Sequence, residues 1–314
     1  MFLYESCRKV CKSGRDGGDR MLSNEFQTPF APMLQGVGYE AYHQYSERME
    51  VTQYHCHDYF ELYIHVQGGE YMGVDDKLFL LRPWQMFLIP PFYMHGLSCT
   101  DEMRGYERAY MNLSPEVLNV LGCRQINLGD LIRACAARGR YTFQLDPEQG
   151  ERFVRCVKAI QDTTRTEMSP AERFQHYADM ISLLSMICQV IGQEETEQEG
   201  IVTNSIIQEV LAYINTHYTD DLNVHELARR FNISDSFLSH EFSRFTNRGV
   251  YDYILYRRVM LSRQMMLGEE SLNQIAYQCG FNDYSNYLRS FSKLMGMPPS
   301  QYRKALRRFK NREI

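Results

Sequence analysis

The side chains best equipped for chemistry in this 314-residue chain form one string, His55-Cys56-His57-Asp58-Tyr59-Phe60-Glu61, completed further along by His95. Side chains alternate between the two faces of an extended segment, so His55, His57 and Glu61 are expected on one face of a strand. By count these groups could serve an open metal site. Equally, they could form a hydrogen-bond network at the mouth of a pocket, and the network is the reading we take, with no metal and no cofactor expected. Tyr63, His65, Trp84 and Tyr93 extend the string with aromatic surface. A pocket of His, Tyr and one Trp suits a sugar or other polyhydroxyl through stacking and hydrogen bonding. His55, His57, Glu61, Tyr63, Trp84 and His95 are therefore the candidate ligand-binding residues.

Short segments must position them. From residue 29 to 145 apolar and aromatic runs are broken by Gly-Gly, Asp-Asp and Pro-Pro, the pattern of an all-β barrel or sandwich. Over 146–192 the period turns helical, with Phe153, Val157 and Ile160 on one stripe and Tyr177, Met180, Ile181, Leu184 and Ile187 on another. The apolar positions Leu183, Leu184, Ile187 and Ile191 could pack between subunits or cover the barrel's own sheet. Residues 1–28 are polar and glycine-punctuated, which predicts a flexible leader, with Met21 an alternative start. A linker is expected over 193–204, where GQEETEQEG carries four Glu and no apolar side chain.

Composition narrows the class. With 44% hydrophobic and 23% charged residues and no apolar run of the ~18 residues a membrane span needs, no membrane role is expected. Nine cysteines without a CxxC pair read as reduced thiols, and no export signal is visible, so a cytoplasmic location is expected. The net charge of −5 hides a division: residues 205–314 hold 15 basic against 11 acidic side chains, the remainder 19 against 28. A polyanion partner at the carboxyl end fits that asymmetry.

The basic region contains one unit twice. Ala228, Asn232 and Ile233 recur 48 residues on as Ala276, Gly280 and Phe281, and Phe242 recurs at Phe291. Each copy is a short apolar helix, a residue able to turn left-handed, and a second helix opened by Ser234 or by Asn282 or Asp283. That is the layout of a helix-turn-helix. Between the copies YDYILYRRVMLSRQMML, residues 251–267, places Ile254, Leu261 and Met265 on one stripe of a long helix. A rod of roughly 25 Å can hold two reading helices near the ~34 Å spacing of successive major grooves.

The segment IAYQCGFNDYSNYLRSFSKLMGMPPSQYRK, residues 275–304, closely resembles the carboxyl-terminal signature of the AraC/XylS family of bacterial transcription regulators. It departs from the family at Asn247-Arg248-Gly249-Val250, where Asn can still take the left-handed conformation. The resemblance implies base-facing residues Ser236, Ser239 and His240 on the first reading helix and Tyr284, Ser285 and Arg289 on the second, with Arg244 and Lys293 on phosphates. In these helices Phe237, Leu238, Phe242, Tyr287, Leu288 and Phe291 are expected to point inward. Arg289 could donate bidentately to guanine. The basic cluster Arg303, Lys304, Arg307, Arg308, Lys310 and Arg312 is expected either on the DNA backbone or on a solvated helix face.

The front string resembles the first cupin motif, with His95 the histidine of the second. Metal-dependent cupins use that face for Mn, Fe or Zn, but Trp84 and Phe92 stand where glycines are usual and Cys99 where Asn closes the motif. The expected fold is therefore α+β and two-domain: a cupin-like β-barrel with trailing helices, then an all-α domain of two helix-turn-helix units joined by a long helix. The domains are a leader (1–28), a ligand-sensing barrel (29–145), a helical dimerisation region (146–192), a linker (193–204) and a DNA-binding domain (205–310). The expected function is a non-enzymatic, sequence-specific regulator, a homodimer on double-stranded DNA that answers to a small-molecule effector. Two alternatives stand beside it. One is a metal-dependent cupin enzyme with an appended helical domain; the other is a ligand-independent dimeric regulator whose barrel only dimerises or contacts RNA polymerase.

Overall fold

The computed structural model describes residues 38–49, 54–98, 103–122, 127–163, 168–193 and 205–310. The leader expected over 1–28, nearly all of the linker over 193–204, and Cys99 lie outside the described residues.

The front domain is built from two antiparallel sheets. Strands β1 (Tyr39–Met49), β2 (Phe60–Gln67), β5 (Gln85–Ile89), β7 (Met103–Leu113) and β8 (Thr142–Gln144) form a five-stranded sheet in the order β1-β7-β2-β5-β8. Strands β3 (Tyr71–Val74), β4 (Lys77–Leu80) and β6 (His95–Ser98) form a second, in the order β4-β3-β6. Period-two alternation splits β2 between two cores. Phe60, Leu62 and Ile64 join a helix-covered cluster, while Tyr63 joins Met72, Val74, Phe79, Phe87 and Leu97 between the sheets. Glu61 and His65, two residues to either side of Tyr63, share its inward face.

Helices α1 (Pro115–Leu121) and α2 (Leu128–Ala137) precede β8, and α3 (Pro147–Thr163) and α4 (Pro170–Gly192) follow it. Ser169 caps α4 reciprocally with Glu172. Phe153, Val157 and Ile160 of α3 and Leu183, Leu184, Ile187 and Ile191 of α4 are all buried in the cluster that covers the five-stranded sheet, α3 lying on the sheet and α4 packing on α3. The α4 stripe named as a possible subunit contact is thus consumed within one chain. The reason is energetic: each such side chain contributes about 1.5–3 kcal/mol on leaving water, and the sheet has a whole apolar face to cover. What α4 leaves bare is Phe174 and Ile181.

The rear domain is helical throughout: α5 (Ser205–His217), α6 (Val224–Arg230), α7 (Asp235–Thr246), α8 (Val250–Met265), α9 (Leu272–Gln278), α10 (Tyr284–Met295) and α11 (Pro299–Lys310). α6–α7 and α9–α10 are the two helix-turn-helix units, and α8 joins them. Ser234 caps α7 and Asp283 caps α10. Asn232 (φ 53°) and Gly280 (φ 85°) turn left-handed as their places in the repeat require, and so does Asn247 (φ 51°) beyond α7. At Gly280 the constraint is doubled, because a Cβ there would come within 2.3 Å of the Thr219 carbonyl oxygen.

Arginines extend the repeat in a way its apolar pattern does not announce. Arg258 of α8 donates to the carbonyls of Tyr218 and Asp220 at 2.6 Å each, beyond the end of α5. Arg303 and Arg307 of α11 do the same beyond the end of α8. Arg303 donates to Met266 (2.9 Å) and Glu270 (2.6 Å), and Arg307 to Gly268 (2.9 Å). Arg303 and Arg307 therefore also staple the fold, and Arg307 stays exposed on its helix; cations beside orphan helix-end carbonyls are favoured there.

Candidate effector site and DNA-reading helices

The histidine string does not lie along one strand. His55 makes an isolated bridge to His95, with reciprocal backbone hydrogen bonds of 2.9 and 2.8 Å. The chain then bends at Asp58 and Tyr59 before β2 begins. His57 and Glu61 meet across that bend, Nε2 to Oε2 at 2.9 Å, and His95 on β6 places its Nε2 3.5 Å from the same oxygen. His57 is 7% and His95 2% exposed. Each ring is held from behind: His57 Nδ1 donates to the Tyr59 carbonyl and His95 Nδ1 to the Tyr93 carbonyl, both at 3.0 Å. The His57 ring also stacks on Tyr59 at 3.7 Å. Burial pulls the His57 imidazole below its ordinary value, against the opposing pull of Glu61. Burial alone would raise the Glu61 carboxyl, yet the hydrogen bonds and charges of the facing imidazoles hold it well below the usual carboxylate range.

Of the six candidate ligand residues, the structure brings His55, His57, Glu61 and His95 together. Tyr63 shares Glu61's face and hydrogen bonds the buried Tyr106 hydroxyl. Trp84 belongs elsewhere. Its ring packs on Gly150 of α3, on the helix-covered side of the sheet opposite Glu61. The correction has a backbone cause, since Trp84 (φ 63°), like Phe92 (φ 68°), holds the left-handed conformation that glycine most readily takes. Its side chain leaves the chain in a direction that strand alternation does not forecast. A cleft of about 440 Å³ lies between the two domains, lined by Asp75, Phe92, Tyr93, Asn215, Arg257 and Gln264 among others. Tyr93, expected inside the barrel, lines this cleft.

The segment before β2 faces two ways. His55 and His57 turn to the barrel cluster, while the alternate residues Tyr54, Cys56 and Asp58 grip the helical domain. Tyr54 N–H donates to the Thr246 carbonyl (2.9 Å) and Arg248 Nε–H donates to the Tyr54 carbonyl. The Tyr256 hydroxyl donates to the Cys56 carbonyl at 2.8 Å. Arg263 of α8, 6% exposed, reaches the Asp58 carboxylate at 2.6 Å and the Tyr302 hydroxyl at 2.8 Å. The fully buried Tyr54 ring occupies the space a side chain at Gly73 of β3 would fill, and its other side meets Phe245 of α7. Sequence reading missed these residues. The only local hint was an arginine-rich α8, and nothing in its spacing named Asp58 as a partner.

The reading helices keep their proposed surface. Ser236, Ser239, His240 and Arg244 on α7 and Ser285, Arg289 and Lys293 on α10 are exposed, while Tyr284 is half-buried against Tyr287. Glu241 pairs with Arg244 (2.6 Å) and His240 (3.0 Å). Leu238, Phe242, Tyr287 and Phe291 point inward as expected. Phe237 does not: it is 45% exposed, because Leu238 and Phe242, four apart, already occupy the core-facing stripe of α7.

Residues 37–127 match the model of the AraC-like ligand binding domain, and residues 227–305 match that of a helix-turn-helix domain. Among curated relatives, an uncharacterized HTH-type transcriptional regulator, YdiP, of Escherichia coli (strain K12) is 27% identical over 37% of this chain and 38% of its own length. The Msm operon regulatory protein of Streptococcus mutans is 24% identical over 45% of this chain and 51% of its own. The chain thus spans about half or less of the length of these two relatives. Among solved structures, ToxT of Vibrio cholerae aligns over 85% of this chain and 98% of that one, at 14% identity and a TM-score of 0.32. Among the described residues no helix is long and apolar enough to cross a membrane. With a ligand-binding front domain and two helix-turn-helix units behind it, this chain belongs to the AraC/XylS family of transcription regulators.

Proposed function

We propose that the protein is a sequence-specific, non-enzymatic, cytoplasmic regulator whose barrel senses a small molecule and whose α7 and α10 read double-stranded DNA. The observation that carries the reading is the two-faced segment Tyr54–Asp58. Its odd-numbered residues belong to the His57–Glu61–His95 cluster, while Tyr54 holds the end of α7 and Cys56 and Asp58 hold α8, the rod that joins the two reading units. An effector displacing His57 would move Asp58, its covalent neighbour, and so change the hold on Arg263. Such coupling requires the effector to bind the two arrangements unequally. Binding residues for the effector are His55, His57, Glu61, Tyr63 and His95, a polar and aromatic set that suits a polyhydroxyl compound. For DNA, Arg289 reads a base bidentately, Ser236, Ser239, His240, Tyr284 and Ser285 line the reading faces, and Arg244 and Lys293 hold phosphates. The exposed Phe237 adds an apolar surface of the kind that packs on a thymine methyl. Homodimerisation fits the bare Phe174 and Ile181 on α4 and would place four reading helices on paired half-sites. Footprinting of promoter DNA with the full chain, with and without a panel of sugars, tests the reading. Protection of two major-groove segments on one side of the duplex, altered by a panel member, is expected; a chain that retards no duplex at low ionic strength overturns it.

A further inference from the structure

The cleft between the two domains contains an arginine with one edge of its guanidinium idle. Arg257 of α8 donates Nη1–H to the Phe92 carbonyl at 3.1 Å and lies over the Tyr218 ring at 4.8 Å. Its Nε is buried without a hydrogen-bond partner, and its Nη2 donates to nothing among the described residues. Nε–H and Nη2–H point the same way from one edge of the group, the fork that holds a carboxylate by two parallel bonds. Asn215 of α5 lines the same cleft. Its Oδ1 accepts from the Tyr253 hydroxyl at 2.9 Å, while its Nδ2 is buried and unpartnered. Enclosed donors without acceptors carry the cost of leaving water unrelieved, and one oxyanion relieves several of them together.

The barrel supplies charge of the other sign. Asp75 and Asp76, in the turn between β3 and β4, line the cleft as well. The Asp75 carboxyl accepts from the Met94 amide (3.3 Å) and the Tyr141 hydroxyl (3.4 Å) but forms no ion pair with Arg257. The half-buried Asp76 carboxylate has no hydrogen bond or ion pair among the described residues. A simple anion would be repelled by the two aspartates and a simple cation by Arg257, whereas a molecule carrying both charges finds a partner for each.

We propose that this cleft binds a free α-amino acid. Its carboxylate takes the Nε–Nη2 edge of Arg257 and the Nδ2 of Asn215, its ammonium takes Asp75 and Asp76, and its side chain lies against Pro91 and Phe92. The cleft volume, about 440 Å³, is in the range of small-molecule sites. None of His57, Glu61 and His95 lines it, so the site is separate from the barrel cluster and holds whether or not the barrel takes a sugar. Because its walls come from both domains, a bound amino acid ties the β3–β4 turn to α5 and α8.

The full-length chain is titrated calorimetrically with each proteinogenic L-α-amino acid, then with the N-acetyl and carboxamide derivatives of any that binds, and with hexanoate, which carries a carboxylate alone. One molecule per chain is expected for at least one amino acid. Blocking either its ammonium or its carboxylate should weaken binding by about 10- to 100-fold, the loss of one charge-assisted contact. Arg257→Gln and Asp76→Asn should each do the same. Asp76→Asn changes a carboxylate without a partner in the fold, so it tests the site even if Arg257→Gln fails to fold. His225→Ala, exposed on the helical domain, should leave binding unchanged. A wild-type chain that takes up no amino acid at millimolar concentration overturns the proposal. So does hexanoate or an N-acetyl derivative that binds as tightly as the free amino acid, or unchanged affinity in folded Asp76→Asn.

Discussion

The Asp58 carboxylate lies 2.6 Å from Arg263 Nη2, joining the bend that carries His57 to the helix that joins the two helix-turn-helix units. Arg263 is almost wholly buried, and the Asp58 charge keeps its guanidinium above its ordinary value against the pull of burial. Asp58 itself is 40% exposed, so solvent screens part of the pair. Asp58→Asn should therefore cost about 1–2 kcal/mol, below the 3–5 kcal/mol of a fully buried broken pair. Its second effect is specific: DNA affinity should lose its dependence on the barrel's occupant. Chemical denaturation and ligand-dependent retardation of the same variant check both; full retention of the ligand response would remove this contact from the coupling.

Arg289→Ala should relax preference at one base pair of the second half-element by about 1–3 kcal/mol and leave the other positions alone. Competition binding with singly substituted duplexes measures it. A uniform loss across all sequences would make Arg289 a phosphate contact.

Gly280→Val should destabilise the second helix-turn-helix. A branched residue would have to hold φ 85° and drive its Cβ into the Thr219 carbonyl. A loss of about 3 kcal/mol or more is expected from strain and displacement together, with DNA binding abolished. Asn232→Gly, at the matching corner of the first unit, should leave stability nearly unchanged. Equal tolerance of both changes in urea melts would contradict the turn geometry.

Burial pushes the Asp75 carboxyl up to about 6, although Arg257, the Met94 amide and the Tyr141 hydroxyl pull the other way. A carboxyl whose folded value is raised favours the fold while protonated. The unfolded chain gives up that proton near pH 4, so this contribution fades as pH rises from about 4 to about 6 and is gone above it. Asp75→Asn should flatten the pH dependence of Tm over that interval. An unaltered slope would show that Asp75 titrates normally in the fold.

Much of this could be read before any coordinates. The 48-residue repeat located both turns, and the left-handed Asn232, Gly280 and Asn247 follow from residue type at the corner. Where one element's neighbour decides, the reading stayed open or failed. The stripe Leu183–Ile191 reads the same whether it faces a second subunit or its own sheet. Phe237 is apolar, yet the stripe beside it was already full. Trp84 was assigned to the pocket by type, and a left-handed backbone sends it to the other face.

Periodicity, turn residues and charge balance are properties of neighbours along the chain, and from them the sequence alone determined the element types, the duplicated helix-turn-helix unit and the basic balance of the carboxyl-terminal region. Contacts such as Asp58 with Arg263, Trp84 with Gly150, and Arg307 with the Gly268 carbonyl join residues far apart in the chain, and no local spacing encodes them. Only the tertiary structure decided that the histidine cluster and the helix joining the two helix-turn-helix units share one short segment, because which distant arginine a carboxylate meets is settled by how the two cores pack.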